Sequence, residues 1–138
     1  MNISHIEHIG IAVKSIESHL PYYETVLGLK CYNIEVVDEQ KVKTAFFKVG
    51  QTKIELLEPT CEDSTIAKFI EKKGEGVHHI AFAVPSVQTA LDEAESKGIQ
   101  LIDKAARNGA EGLQIAFLHP KSTGSVLTEL CMMGEFNI

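Results

Sequence analysis

The segment His8-Ile9-Gly10-Ile11-Ala12-Val13 recurs as His79-Ile80-Ala81-Phe82-Ala83-Val84, a histidine followed by the same alternation of small and bulky apolar residues. Such a repeat constrains the fold more than any single motif, because each copy must build the same local unit and bury its apolar face. Alternation with a period of two marks both segments as strands. Ser15 and Ser86 stand at the same offset from the two histidines. A serine there accepts a hydrogen bond from an unsatisfied N–H in the first turn of a helix. Ile16, Leu20, Tyr23 and Leu27 then recur at helical spacing, as do Val87, Leu91 and Ala94, with Gly28 and Gly98 as stops. Pro21 predicts a kink or a late start, since its ring clashes with a carbonyl four residues earlier unless it lies in the first turn.

Each half closes on apolar strand material holding one acidic residue, Ile54-Glu55-Leu56-Leu57 and Leu127-Thr128-Glu129-Leu130, at nearly matching distances from its histidine. Middle strands are predicted over residues 40–49 and 113–118. Residues 59–63 read as a turn, Ser64 caps a connecting helix carrying Ile66, Phe69 and Ile70, and Gly74 and Gly76 mark its end. The order in each half is strand, helix and three strands, a βαβββ module. The expectation is one domain over residues 1–138, built from a module at 1–60, a connecting helix at 61–76 and a module at 77–138. Each module is too small for a secure core of its own, so an α+β fold with paired modules forming a concave mixed sheet follows.

Strand parity separates the chemistry from the core. His8 shares a face with Gly10 and Ala12, and His79 with Ala81 and Ala83. The bulky residues between them are expected to make the core, leaving each histidine above a hollow. By the same parity His78, next to His79, falls on the core-facing side. Glu55 and Glu129 sit among apolar residues, where a carboxylate is costly unless it is paired, hydrogen-bonded or bound to a cation. Two imidazoles and two carboxylates suit a borderline divalent ion such as cobalt, nickel, zinc, manganese or iron, and the sequence does not choose among them.

Composition excludes several functions. A net charge of -6 opposes a nucleic-acid partner, which needs clustered basic residues to displace counterions from phosphates. Lys68, Lys72 and Lys73 still lie near one another, as do Lys104 and Arg107, so a phosphorylated small molecule could be held locally. No segment approaches the roughly 18 apolar residues of a membrane span, and residues 1–8 lack a secretory pattern, so neither membrane nor export is expected. Cys31, Cys61 and Cys131 are odd in number and widely spaced, as reduced thiols of a cytoplasmic protein would be.

These features resemble the vicinal oxygen chelate superfamily, whose members pair βαβββ modules and carry metal ligands on the first and last strands of each. Within it the chain is similar to the methylmalonyl-CoA epimerases. The likeness is carried by Thr52-Lys53-Ile54-Glu55-Leu56-Leu57-Glu58-Pro59, Ser64-Thr65-Ile66-Ala67-Lys68-Phe69 and Gly76-Val77-His78-His79-Ile80-Ala81. Phe117-Leu118-His119-Pro120-Lys121 and Gly124-Ser125-Val126-Leu127-Thr128-Glu129-Leu130 extend it. The resemblance implies His8, Glu55, His79 and Glu129 as ligands of one divalent ion, an acyl-CoA substrate, a homodimer, and Glu129 as both ligand and base.

Inverting a carbon centre calls for an acid/base on each face, and many relatives place a glutamate on an early strand of the first module. Thr44 stands there in this chain, and a neutral hydroxyl does not readily accept a proton near neutral pH. Glu55, related to Glu129 by the repeat, is therefore the expected second base. His119 and Lys121 could contact a CoA phosphate or a carboxylate, and a turn explains His-Pro-Lys equally well. The alternatives are a lactoylglutathione lyase (glyoxalase I) with the same ligand pattern, an extradiol dioxygenase, and a non-enzymatic small-molecule-binding module of the same fold.

Overall fold

A computed structural model describes residues 1–133. The described residues divide into two compact units, His8–His78 on the one hand and Met1–Glu7 with residues 79–133 on the other.

The first unit runs from β1 (Ile6–Ala12), which it enters at His8, through α1 (Ile16–Leu20) and a π-helical segment at Pro21–Val26. It continues through β2 (Cys31–Val37), β3 (Val42–Val49), β4 (Thr52–Pro59) and α2 (Thr65–Lys73). Its strands lie in the order β2-β3-β4-β1, with β1 parallel to β4 and the other pairs antiparallel. Ser15 Oγ accepts from the Ser18 N–H, so α1 begins where its cap predicts. It does not start late. Pro21, which has no N–H to donate, instead changes the helix type, and Leu27 N bonds to Tyr22 O at 2.9 Å across the wider turn. Gly28 then leaves the helix at φ 70. The strand expected from residue 40 starts at Val42, after a short 3-10 turn at Asp38–Gln40 and the left-handed Lys41.

The second unit contains β5 (Gly76–Val84) from His79 onward, α3 (Val87–Ser96), the short β6 (Arg107–Asn108), β7 (Gln114–Leu118) and β8 (Thr128–Met132). Its order is β5-β8-β7-β6, again with the first pair parallel. The repeat therefore folds as two βαβββ modules of an α+β protein. Ser4 N bonds to Ala83 O, and Ala83 N to His5 O, both at 2.9 Å, which ties the first residues of the chain to β5.

Each module buries one sheet face under its helix. In the first, Val13, Ile16, Ala45, Phe47 and Leu56 cluster under α1, with Tyr23 stacked on Phe47 at 5.1 Å. In the second, Val87, Ala90, Leu91 and Ala94 of α3 pack on Val84, Ala116, Leu118 and Leu130. Each such large side chain contributes roughly 1.5–3 kcal/mol of burial free energy.

Val13 and Val84 enter these cores as expected, with Ile11 packed against the first, but the small residues do not line an open hollow. Ala12, Ala81 and Ala83 are fully buried, whereas Ile9, Ile11, Ile80 and Phe82 are half-buried. The small side chains leave room for close packing. Ala12, Val42 and Leu57 take Ile66, Phe69 and Ile70 of α2 onto them, and Ala81 packs with Ile115 and Cys131.

Candidate active site

Parallel pairing of β1 with β4 sets Gly10 opposite Glu55 and His8 opposite Lys53, so His8, Lys53 and Glu55 share a sheet face. His8 Nδ1 lies 3.3 Å from Glu55 Oε2, and both residues are 5% exposed. Parallel pairing of β5 with β8 sets Ala81 opposite Glu129. There His79 Nε2 lies 3.2 Å from Glu129 Oε1, with exposures of 5% and 3%. The four residues singled out in the sequence thus form two imidazole–carboxylate pairs at repeat-equivalent places, one inside each unit. Each carboxylate thus has an imidazole beside one of its two oxygens.

Further side chains hold the second pair. The Phe117 ring meets His79 edge-on at 5.4 Å, and Arg107 lies over Phe117 at 5.6 Å. Arg107 Nε donates to Asp103 Oδ1 at 3.0 Å, while the Phe117 N–H donates to Asp103 Oδ2 at 2.8 Å, so Asp103 fixes both neighbours.

On the first unit's site face, Thr44 is 1% exposed and pairs with Leu57 of β4 and Glu35 of β2. It stands two residues from Phe46, the partner of Glu55, and so faces the same way. A hydroxyl occupies that place. Sequence reasoning missed Lys53, which is 7% exposed beside His8 and Glu55. Its position two residues before Glu55 on a strand was a sufficient signal. His78 lies on the strand face opposite that of His79, as its parity requires. It is half-buried, with its ring edge-on to Phe69 of α2 at 4.9 Å. His119 Nδ1 accepts from Lys121 N at 3.1 Å, so His-Pro-Lys forms a turn.

Neutral imidazole nitrogens beside carboxylate oxygens are the donor types that borderline divalent ions take, so the residues present fit such an ion. One family model, the Glyoxalase/Bleomycin resistance protein/Dioxygenase superfamily, matches residues 7–117. The chain belongs to this superfamily. Within it the likeness is to methylmalonyl-CoA epimerases. The human mitochondrial methylmalonyl-CoA epimerase is 36% identical over 130 residues, covering 94% of this chain and 74% of that protein. A solved methylmalonyl-CoA epimerase in complex with methylmalonyl-CoA and NH4+ superposes with a TM-score of 0.92 at 37% identity, covering 96% of each chain. The uncharacterized protein YqjC of Bacillus subtilis is 47% identical over 129 residues, covering 94% of this chain and 92% of that one. Among the described residues no helix is long and apolar enough to cross a membrane.

Proposed function

We propose that this protein is a methylmalonyl-CoA epimerase that interconverts the R and S forms of its substrate through an enolate. The observation that carries the reading is the buried His–Glu pair repeated in each module, in a chain similar over almost its whole length to methylmalonyl-CoA epimerases. His8, Glu55, His79 and Glu129 together hold one divalent ion per chain, drawn from cobalt, nickel, zinc, manganese or iron. The modules at 1–60 and 77–138, joined by the helix at 61–76, act as one domain. The same reading makes the protein a cytoplasmic homodimer. The odd number and wide spacing of Cys31, Cys61 and Cys131 support a reducing compartment.

The carbon between the thioester and the carboxylate must lose its proton and regain it on the opposite face. When bound, the divalent ion supplies Lewis-acid stabilisation for the charge that develops on the thioester oxygen. His8 and His79 would each offer a ring nitrogen to that ion from beside Glu55 and Glu129, which lie 3.3 and 3.2 Å away. Glu129 takes the proton from one face. Glu55 enters the step protonated and delivers its proton to the other face, because Thr44 carries no acid there, and exchange with solvent restores both groups before the next turnover. The reverse direction exchanges their roles.

The deciding experiment assays protein reconstituted with each metal against methylmalonyl-CoA and the glutathione hemithioacetal of methylglyoxal in parallel. Conversion of the hemithioacetal alone would make the protein a lactoylglutathione lyase. Turnover of neither substrate by metal-replete protein would favour a binding module.

A further inference from the structure

Along α2 the His8–His78 unit opens a hollow of about 340 Å³. Lys68, Lys72 and Lys73 line it together with Phe69 and His78. The three lysines are exposed, while both rings are half-buried. His78 stands edge-on to Phe69 at 86°, and Lys73 Nζ lies 5.9 Å from the centroid of the Phe69 ring. Glu71 is the acidic member of the lining, so cations outnumber it on a chain whose net charge is -6.

Lys72 and Lys73 fall in the last turn of α2, where they complement the negative end of the helix dipole. That does not account for Lys68. It stands one turn earlier, four residues from Lys72, and like charges at that spacing weaken a helix. Three lysines gathered around an aromatic floor suit a multiply charged anion that also carries a flat ring. Lysines meet phosphates as point charges, and an aromatic face stacks on a nucleobase. Phe69 also packs against the cluster containing Ala12 and Leu57, and Ala12 and Leu57 lie on the sheet face that bears His8 and Glu55. The hollow therefore adjoins the site face of the same unit.

We infer that this hollow is a phosphate subsite that receives the phosphorylated adenosine end of the coenzyme A thioester. The inference rests on the acyl-CoA reading above.

The test compares the full-length protein with a Lys68→Glu/Lys72→Glu variant, both exposed positions, after thermal melts establish that the variant is folded. Calorimetry measures binding of adenosine 3′,5′-diphosphate, AMP and inorganic phosphate. KM is measured for methylmalonyl-CoA and for methylmalonyl-pantetheine, which lacks the nucleotide. The expected result is binding of adenosine 3′,5′-diphosphate that weakens roughly tenfold or more on charge reversal. KM for the CoA thioester should rise by a similar factor beyond any change for the pantetheine thioester. Equal affinity in parent and variant, or an equal rise in both KM values, would overturn the subsite. Inorganic phosphate bound as tightly as the nucleotide would overturn its assignment to CoA and leave a general anion site. If the parent epimerises neither thioester, the functional reading fails by itself, while loss of nucleotide binding in the variant still supports the subsite.

Discussion

His8 and Glu55 meet at 3.3 Å because β1 and β4 run parallel with Gly10 opposite Glu55, which brings a histidine and a glutamate far apart in sequence onto one face of adjacent strands. Both are buried, so neither is screened by solvent, and removing one leaves the other to be desolvated without compensation. The same geometry holds His79 beside Glu129.

Metal binding is the first consequence. The protein should bind about one divalent ion per chain, and His8→Ala or His79→Ala should weaken that binding by more than the roughly 10- to 100-fold typical of residues that only support a ligand. Metal analysis of the purified variants checks this. Unchanged occupancy in both would remove the assignment, and loss in His78→Ala without loss in His79→Ala would show the adjacent histidine to be the ligand.

Substrate preference is the second. With the same metal, kcat/KM for methylmalonyl-CoA should exceed that for the glutathione hemithioacetal by at least about tenfold, which corresponds to about 1.4 kcal/mol of transition-state discrimination. Parallel initial-rate measurements decide it, and an equal or reversed preference would favour the lyase.

The carboxylates should divide the two faces of the substrate. Glu129→Gln and Glu55→Gln each keep an oxygen donor while abolishing the base, so each should stop net epimerisation. In deuterated water each variant should still exchange the α-proton of one epimer with retention, and the two should prefer opposite epimers. Proton NMR follows the exchange. Metal content is measured alongside, because a lost ion imitates a lost base. A metal-replete Glu55→Gln protein that epimerises at the parental rate would exclude Glu55 as the second base.

A surface network gives a pH-dependent prediction. Asp63 accepts from Cys61 Sγ at 2.8 Å and from Lys41 Nζ at 2.6 Å, and these contacts lower its pKa from 3.8 to about 2. A depressed carboxylate contributes stability that is present above its unfolded pKa and lost as pH falls through the folded one. Asp63→Asn should therefore be slightly less stable than the parent at pH 7, with the difference shrinking between about pH 4 and 2. Thermal melts across that range check it. A difference that widens on acidification would contradict the assignment.

The repeat, the serine caps and the strand parity determined most of the architecture by themselves, since each depends only on residue type and local spacing. Ser15, Ser64 and Ser86 cap α1, α2 and α3 as read, and the histidines and glutamates fall on strands of the predicted parity. Lys53 was legible in the same way. Other features needed the folded chain. How deeply a face is buried depends on what packs over it, and the small residues Ala12 and Ala81 proved to be covered as well as Val13 and Val84. The π-helical turn after Pro21 follows from how the chain accommodates a missing donor, for which periodicity has no signal. His78 meets Phe69 edge-on, and Lys73 lies over that ring, because the connecting helix docks on the sheet of the first module. Local sequence states which side chains share a face, and tertiary packing alone decides what lies opposite it.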